Sequence, residues 1–214
     1  MARKLVTTDT ETPAAGKATK SPGNVYQLKI TLTGIRPPIW RRVLVPSTIT
    51  LAKLHQVIQV VMDWEDDHLH DFTVGSRRDG VRYAPRTDPM GFALDFDDLD
   101  SKDEARARLS TVAPEVKAKI TYLYDFGDSW EHTILVEKIL PQEAAKFRPI
   151  CVDGKRAGPP EDCGGVWGYA ELLEILADPA HEDYEERLEW LGEPIDPEAF
   201  DLEQVNRELA ELKL

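Results

Sequence analysis

The sequence has few cysteines and no long apolar run, and both absences narrow the class of protein. Only two cysteines, Cys151 and Cys163, occur in 214 residues, which is too few for a disulfide-stabilised secreted scaffold. No apolar stretch approaches the roughly 20 residues of a membrane-spanning helix, and the first residues lack the apolar segment of a signal peptide. The sequence therefore predicts a cytoplasmic protein that does not enter a membrane.

Positive charge is scarce in the last third of the chain. The formal net charge is −13, and residues 151–214 hold 5 Lys or Arg against 18 Asp or Glu. Such an acidic region repels a phosphate backbone, so the composition disfavours nucleic acid and favours a small ligand or a protein as partner. A basic strip at Arg36, Arg41 and Arg42 is the local exception, and it keeps contact with nucleic acid open as an alternative.

Hydrophobic periodicity divides the chain into strands followed by helices. Residues 1–23 are polar without apolar periodicity, which predicts a disordered N-terminal leader. Residues 24–140 contain several short segments in which apolar and polar residues alternate, and one helix that begins near Leu51. The alternation typical of strands stops beyond Pro141, so we expect a loop and three helices over residues 141–214.

This order of elements is typical of a single α+β domain over residues 24–214. We expect a mixed, mostly antiparallel sheet core over residues 24–140, crossed by one helix, and a C-terminal helical region over residues 141–214. A hairpin followed by a crossing helix is also similar to a β-grasp arrangement.

The segment YDFGDSWEH, residues 124–132, carries more polar side chains than a plain turn needs. Side chains on a strand alternate between its two faces, so His132 lies on the apolar face of its strand, and His68 and His70 lie on that of an earlier strand. If the two strands are neighbours, these imidazoles meet at one edge of the core. His55 lies on the buried face of the helix and can join them.

Two interpretations of this constellation remain open. In the first, the imidazoles and nearby carboxylates bind a divalent metal such as zinc, bind a small ligand, or act in acid–base catalysis. In the second, each histidine is a packed residue that is hydrogen-bonded to a carboxylate and fixes a loop. The candidate metal ligands are His68, His70, His132 and Cys163. The candidate ligand-binding residues are His55, Asp125, Asp128, Trp130, Glu161 and Asp162.

A second dense segment, residues 151–176, places a glycine-rich turn before a helix. Its two cysteines are not arranged as C-x-x-C, which makes a weak zinc pattern, and no Lys or Ser/Thr follows in the register of a phosphate-binding loop. The acidic neighbours of Cys163 predict a raised thiol pKa rather than a nucleophile. The sequence therefore contains no complete catalytic pattern and leaves open whether the protein is an enzyme.

Four motifs in order give the chain a specific resemblance to a known family. IRPPIWRRVLVP, LHQVIQVVMDWEDDHLHDF, YLYDFGDSWEHTI and PPEDCGGVWGYAELLEIL, within residues 24–190, resemble the plasmid pRiA4b ORF-3-like family, also known as insertion-sequence passenger, TnpR-like proteins. The resemblance implies an α+β domain that is sometimes carried on mobile elements, and it implies no established activity. The family often has a cysteine directly before PPED, where this chain has Gly158, so a cysteine cluster with Cys151 and Cys163 would lack one ligand.

We therefore expect a binding or accessory module whose His/Asp/Glu cluster holds a metal or a small ligand. The first alternative is a metal-dependent hydrolase that uses the three clustered histidines as ligands and a neighbouring carboxylate, Asp128 or Glu161, as base. The second is a mobile-element accessory protein that contacts nucleic acid through the basic strip.

Overall fold

The computed structural model describes residues 23–76, 78–87, 101–143, 146–192 and 194–213. The predicted disordered leader lies outside the described residues, apart from Gly23. Within the described part of the chain, no helix is both long enough and apolar enough to cross a lipid bilayer.

Eight strands in the described residues form one sheet. They are β1 (Asn24–Leu32), β2 (Trp40–Pro46), β3 (His70–Val74), β4 (Val81–Ala84), β5 (Ser101–Asp103), β6 (Lys119–Tyr124), β7 (Trp130–Pro141) and β8 (Ile150–Lys155). The α-helices are α1 (Leu51–Met62), α2 (Leu109–Val112), α3 (Gly165–Ala177), α4 (Tyr184–Leu191) and α5 (Leu202–Glu211), and a 3₁₀ turn covers Glu104–Arg106.

The sheet has the strand order β5-β4-β3-β6-β7-β1-β2-β8. Only the β4–β5 pair is parallel, and the other pairs in this order are antiparallel. The α+β class with a mixed, mostly antiparallel sheet is thus confirmed. Antiparallel neighbours joined by short turns place the loops at the two ends of the sheet, where side chains from different strands can meet.

The expectation that strands stop beyond Pro141 is wrong, because β8 pairs with β2 at the edge of the sheet. This strand gives a poor sequence signal for two reasons. Only Cys151 among its six residues is buried, so apolar alternation is weak. A register shift opposite Arg42 and Val43 also interrupts the pairing, as β-bulges commonly do at sheet edges.

Helix α1 covers one face of the sheet and begins where the sequence predicts. The side-chain oxygen of Thr50 accepts a hydrogen bond from the backbone N–H of Lys53, which satisfies one free donor of the first turn. Leu54 and Ile58 on the inner side of the helix are fully buried. The Nε2 of Gln59 donates to the hydroxyl of Tyr122 on β6 (3.0 Å), and this bond ties the helix to the middle of the sheet.

The basic strip is not the accessible surface that the sequence suggests. Arg41 is 2% exposed, and its Nε donates to the carbonyl oxygen of Val61 at the end of α1 (2.6 Å). Burial lowers the pKa of Arg41 to about 10, which leaves it charged at neutral pH. Arg42 forms ion pairs with Glu137 (2.7 Å) and Asp153 (2.9 Å). Arg41 is therefore held in the interior, and Arg42 is engaged in ion pairs near the surface.

Candidate functional site

Three loops converge at one end of the sheet: the α1–β3 loop, the β6–β7 turn and the segment that leads into α3. The backbone N–H of Asp125 donates to the carbonyl oxygen of Leu69 (2.9 Å), which joins the first two loops. The Oδ2 of Asp128 accepts from the backbone N–H of Gly164 (3.0 Å), which joins the second to the third. The segments HLH, YDFGDSWEH and PPEDCGG, as seen in the sequence, therefore lie together.

The indole of Trp64 closes the remaining side of this junction. Its Nε1 donates to the carbonyl oxygen of Pro159 (2.9 Å), and its ring stacks on Tyr124 with 4.9 Å between centroids. The Tyr124 hydroxyl donates to Oε1 of Glu161, while Oε2 of Glu161 accepts from the backbone N–H of Glu65 (3.3 Å). These bonds fix the positions of the loops around the polar side chains.

The side chains of His68, Asp125 and Asp162 meet at this junction. One ligand atom from each residue lies within 4.8 Å of the other two. The Nε2 of His68 is 3.3 Å from Oδ1 of Asp162, and its Nδ1 is 3.9 Å from Oδ2 of Asp125. The exposed fraction is 28% for the side chain of His68, 11% for that of Asp125 and 71% for that of Asp162, so this His68 cluster is open to solvent on the side of Asp162.

Asp125 is held in place by its own turn. Its Oδ1 accepts from the backbone N–H of Gly127 (2.8 Å), and its carbonyl oxygen accepts from the N–H of Ser129 (2.7 Å). A carboxylate with one oxygen used in an Asx-type turn keeps the second oxygen for another partner. That second oxygen is the one that faces His68.

His55 and His70 form a separate, buried pair. Their rings stack with centroids 3.5 Å apart and an angle of 7° between the planes. The Nε2 of His55 is 2.6 Å from Oδ1 of Asp66, and the Nε2 of His70 is 2.9 Å from Oε2 of Glu104. Burial lowers the pKa of His55. The packed interpretation, in which each imidazole is hydrogen-bonded to a carboxylate, describes this pair well.

The stacked pair is poorly arranged for one metal ion, although ligand atoms of His55, Asp66 and His70 lie within 4.8 Å of one another. An imidazole binds a metal through a lone pair in the plane of its ring. Two nearly parallel rings 3.5 Å apart direct their lone pairs along separate planes, so they do not converge on one ion. The geometry favours a structural role in which the pair anchors α1 to β3.

His132 lies in the core, away from these carboxylates. It is fully buried, its Nδ1 hydrogen-bonds the carbonyl oxygen of Trp130 (3.0 Å), and its Nε2 has no hydrogen-bond partner among the described residues. Burial lowers its pKa to about 3, so the ring is neutral at ordinary pH. None of the potential ligand groups in the described chain contains His132.

Trp130 and the two cysteines do not contribute ligand atoms to the His68 cluster. Trp130 is 1% exposed in the core. Burial, with a further contribution from Asp128, raises the pKa of Cys163 to about 12, as the sequence predicts for this thiol. Cys151 is a free cysteine on β8. Neither cysteine belongs to a potential ligand group in the described chain.

The sequence reasoning missed several partners of the candidate residues. Asp66 lies in the acidic run WEDDH directly before His68, and this proximity is a signal that could have identified it. Glu104 lies 34 residues from its partner His70, and nothing in the linear pattern connects the two. Tyr122 and Tyr124 are indistinguishable in sequence from ordinary core residues of a strand.

Comparisons with known proteins place this architecture in one family. The family model for "Plasmid pRiA4b ORF-3-like protein" matches residues 24–204. A curated relative, "Uncharacterized protein y4hQ" of Sinorhizobium fredii (strain NBRC 101917 / NGR234), is 38% identical over 193 residues, which cover 88% of this chain and 92% of the relative.

A solved structure has the same fold. The crystal structure of a protein of unknown function, MM3350 from Methanosarcina mazei Go1, is 43% identical with a TM-score of 0.70, and the match covers 84% of this chain and 96% of that one. Four motifs in order, a model match across most of the sequence and a homologous structure agree. The chain therefore belongs to the plasmid pRiA4b ORF-3-like family.

Proposed function

We propose that the protein is an accessory module that binds one divalent transition metal with His68, Asp125 and Asp162. The observation that carries the proposal is the convergence of one imidazole and two carboxylates, with ligand atoms within 4.8 Å of one another. Ligands of a common ion are bonded to it at about 2.0–2.2 Å, so modest side-chain rotations bring these atoms into range. Imidazole and carboxylate ligands suit zinc and manganese.

The charge around the His68 cluster supports a cation. Carboxylate oxygens of Glu65, Asp67 and Glu161 form a second group within 4.8 Å of one another. In the described part of the chain, no Lys or Arg forms an ion pair with these three residues or with the two cluster aspartates. Carboxylates without a Lys or Arg partner repel one another, and a bound cation relieves this repulsion. A cation is therefore attracted to this end of the sheet.

The backbone of the cluster is also consistent with a binding role. Asp125 and Asp162 have φ angles of 56° and 57°, in the left-handed region that only a few per cent of non-glycine residues adopt, although Asp does so more often than most. Such residues concentrate at binding and catalytic sites. Each aspartate is held by a loop that the hydrogen bonds of the junction fix in place.

Metal analysis and titration calorimetry test this proposal. We expect purified protein to bind about one equivalent of Zn²⁺ or Mn²⁺, and His68→Asn and Asp162→Asn each to weaken binding at least tenfold, since the loss of even a residue that only supports a metal ligand weakens metal binding by about 10–100-fold. At a metal concentration 100 times Kd, the free energy of unfolding should rise by about 2.7 kcal/mol.

A matched control is available in the same chain. His181 and Asp183 form an exposed pair, with Nδ1 and Oδ2 3.8 Å apart, that belongs to no potential ligand group among the residues the structure describes. His181→Asn and Asp183→Asn should bind metal like the wild type. Absence of binding by the wild type, or equal loss in the control variants, would refute the His68 cluster as a metal site.

A metal-dependent hydrolase is a second candidate, since three protein ligands leave a position for an activated water. Glu161 would act as the base, because the hydroxyl of Tyr124 holds its carboxylate near the cluster: the Tyr124 ring is 5.7 Å from that of His68. The measurement is metal-dependent hydrolysis of p-nitrophenyl acetate and bis-p-nitrophenyl phosphate. The hydrolase is supported if Glu161→Gln abolishes turnover while the variant still binds metal. It is excluded for these substrates if the protein hydrolyses them no faster than free metal does.

A further inference from the structure

A groove of about 610 Å³ lies between the β1–β2 turn and the beginning of α3, and none of the proposed metal ligands lines it. This volume falls within the range of about 300–1,000 Å³ typical of small-molecule sites. Ile35 from the turn and Val166 and Leu173 from α3 supply apolar walls. The groove is therefore a separate candidate site, independent of the metal.

Trp167 stands at the edge of this groove and is 87% exposed. An indole carries a large apolar surface whose exposure to water is unfavourable, and an exposed aromatic residue beside an apolar groove marks a binding surface. Tyr169, two residues later on the same helix, is 1% exposed. The helix thus buries one aromatic ring in the protein and presents the other to solvent at the groove.

Two polar groups of the groove, in Tyr169 and Arg36, have no side-chain partner among the described residues. Tyr169 also lines the groove, and its buried hydroxyl has no hydrogen-bond partner among the described residues. Arg36 is exposed and lines the groove, and within the described ranges it forms no ion pair with a carboxylate. The other guanidinium in the wall, that of Arg156, is already bonded to Glu198 (2.7 Å) and to the carbonyl oxygen of Pro37 (2.7 Å).

We infer that this groove binds a small amphipathic anion, whose carboxylate pairs with Arg36 and whose apolar part lies against Trp167 and Leu173. The choice of an anion follows from charge. The chain as a whole has a net charge of −13 and repels anions from most of its surface, whereas the groove is lined by two guanidinium groups, those of Arg36 and Arg156, against one carboxylate, that of Glu131. A guanidinium matches the geometry of a carboxylate better than other cationic groups do.

Isothermal titration calorimetry with decanoate, below its micelle-forming concentration, tests the inference. Decanoate should bind saturably, 1-decanol should bind at least tenfold more weakly, and Arg36→Gln should remove this difference, because a charge-assisted hydrogen bond changes affinity by about tenfold or more. Trp167→Ala should weaken decanoate binding by a similar factor. Both side chains are exposed, so the variants should melt like the wild type.

The control is Trp190→Ala, since Trp190 is 44% exposed on α4 and does not line the groove. This variant should bind decanoate like the wild type. The inference is overturned if decanoate does not bind saturably, or if Arg36→Gln and Trp167→Ala bind it unchanged. It is also overturned if ligand-free protein is a dimer by light scattering and Trp167→Ala makes it a monomer, because a second copy then covers the groove. These outcomes do not depend on metal binding at His68.

Discussion

At the scale of single residues, burial decides what the histidines can do. The five histidines of the chain have the same chemistry in sequence, yet the structure gives them different environments. His55 and His70 are stacked and hydrogen-bonded to carboxylates, and His132 is enclosed by the core. In the part of the chain that the structure describes, His68 alone among the histidines has a partly exposed side chain close to two carboxylates. Burial, rather than residue type, thus separates the structural histidines from the candidate ligand.

Titration of His132 should lower the free energy of unfolding as the pH falls. Its pKa is lowered to about 3 in the folded protein, below the ordinary value of about 6.5, so the unfolded chain binds more protons between these values. The contribution to stability is therefore complete above about pH 6.5 and is lost as the pH falls toward 3. Between pH 7.5 and 4.5, this histidine should account for about 2–3 kcal/mol of the decrease in the free energy of unfolding.

Urea denaturation of the wild type and His132→Leu at both pH values measures this contribution. The variant should lose about 2–3 kcal/mol less than the wild type over this range, because titration of the carboxylates is common to both proteins. His181→Leu, which removes an exposed histidine, should behave like the wild type. Equal decreases in the wild type and His132→Leu would contradict the assignment of a neutral, buried imidazole.

At the scale of elements, the candidate site depends on how closely its loops approach α1 and the β6–β7 turn. A Cβ atom built on Gly158 would overlap the backbone carbonyl oxygen of Met62 at the end of α1. One added to Gly165 would overlap the carbonyl oxygen of Asp128. The segment that carries Glu161 and Asp162 is therefore pressed against its neighbours at both ends. A cysteine at position 158 would meet the same obstruction, so Gly158 suits this particular packing.

Gly158→Ala should destabilise the protein by about 2–3 kcal/mol, since overpacking against the backbone forces a shift of the segment. The shift would also disturb the bond from Trp64 to Pro159. Thermal and urea denaturation measure the effect. In the control variant Gly23→Ala, the added Cβ makes only ordinary contacts at 3.5 Å or more, and the change in stability should be small. A Gly158→Ala protein as stable as Gly23→Ala would show that the segment can move freely.

At the scale of the whole molecule, charge and topology together disfavour binding to nucleic acid. The net charge is −13, and most of the basic strip near the N-terminal hairpin is buried or paired within the fold. Arg41 serves as a buried donor to the end of α1, and Arg42 is paired with two carboxylates. Of the three arginines in the strip, only Arg36 remains exposed without an ion pair among the described residues.

We expect no saturable binding to a 20-base-pair duplex at about 0.15 M salt, because the basic strip offers a single exposed arginine, which neutralises too few phosphates. Fluorescence anisotropy at 50 and 150 mM salt is the measurement. Weak binding at low salt that Arg36→Glu removes would still fit a single electrostatic contact. Tight binding at 150 mM salt, unaffected by Arg36→Glu, would show that another surface of the protein recognises nucleic acid.

Much of the fold follows from local patterns in the sequence. The alternation of apolar residues predicts the strands around residues 26, 72, 122 and 134, and the spacing from Leu51 onward predicts α1, since burial of one face requires these periods. The edge strand β8 was missed because an edge strand buries little and carries a weak alternation. The candidate site could be predicted as a set of residue types, but its grouping could not, because Asp125 and Asp162 are distant in sequence.

The sequence by itself determined the α+β class, the family and the polar segments that meet at one end of the sheet. Only the tertiary structure decided which residues share a site: it separated His68 from His70 and His132, buried Arg41, and left Trp167 exposed. The physical reason is that periodicity reports which face of its own element a residue occupies. Neighbours from other elements, and the depth of burial they impose, are set by how the elements pack.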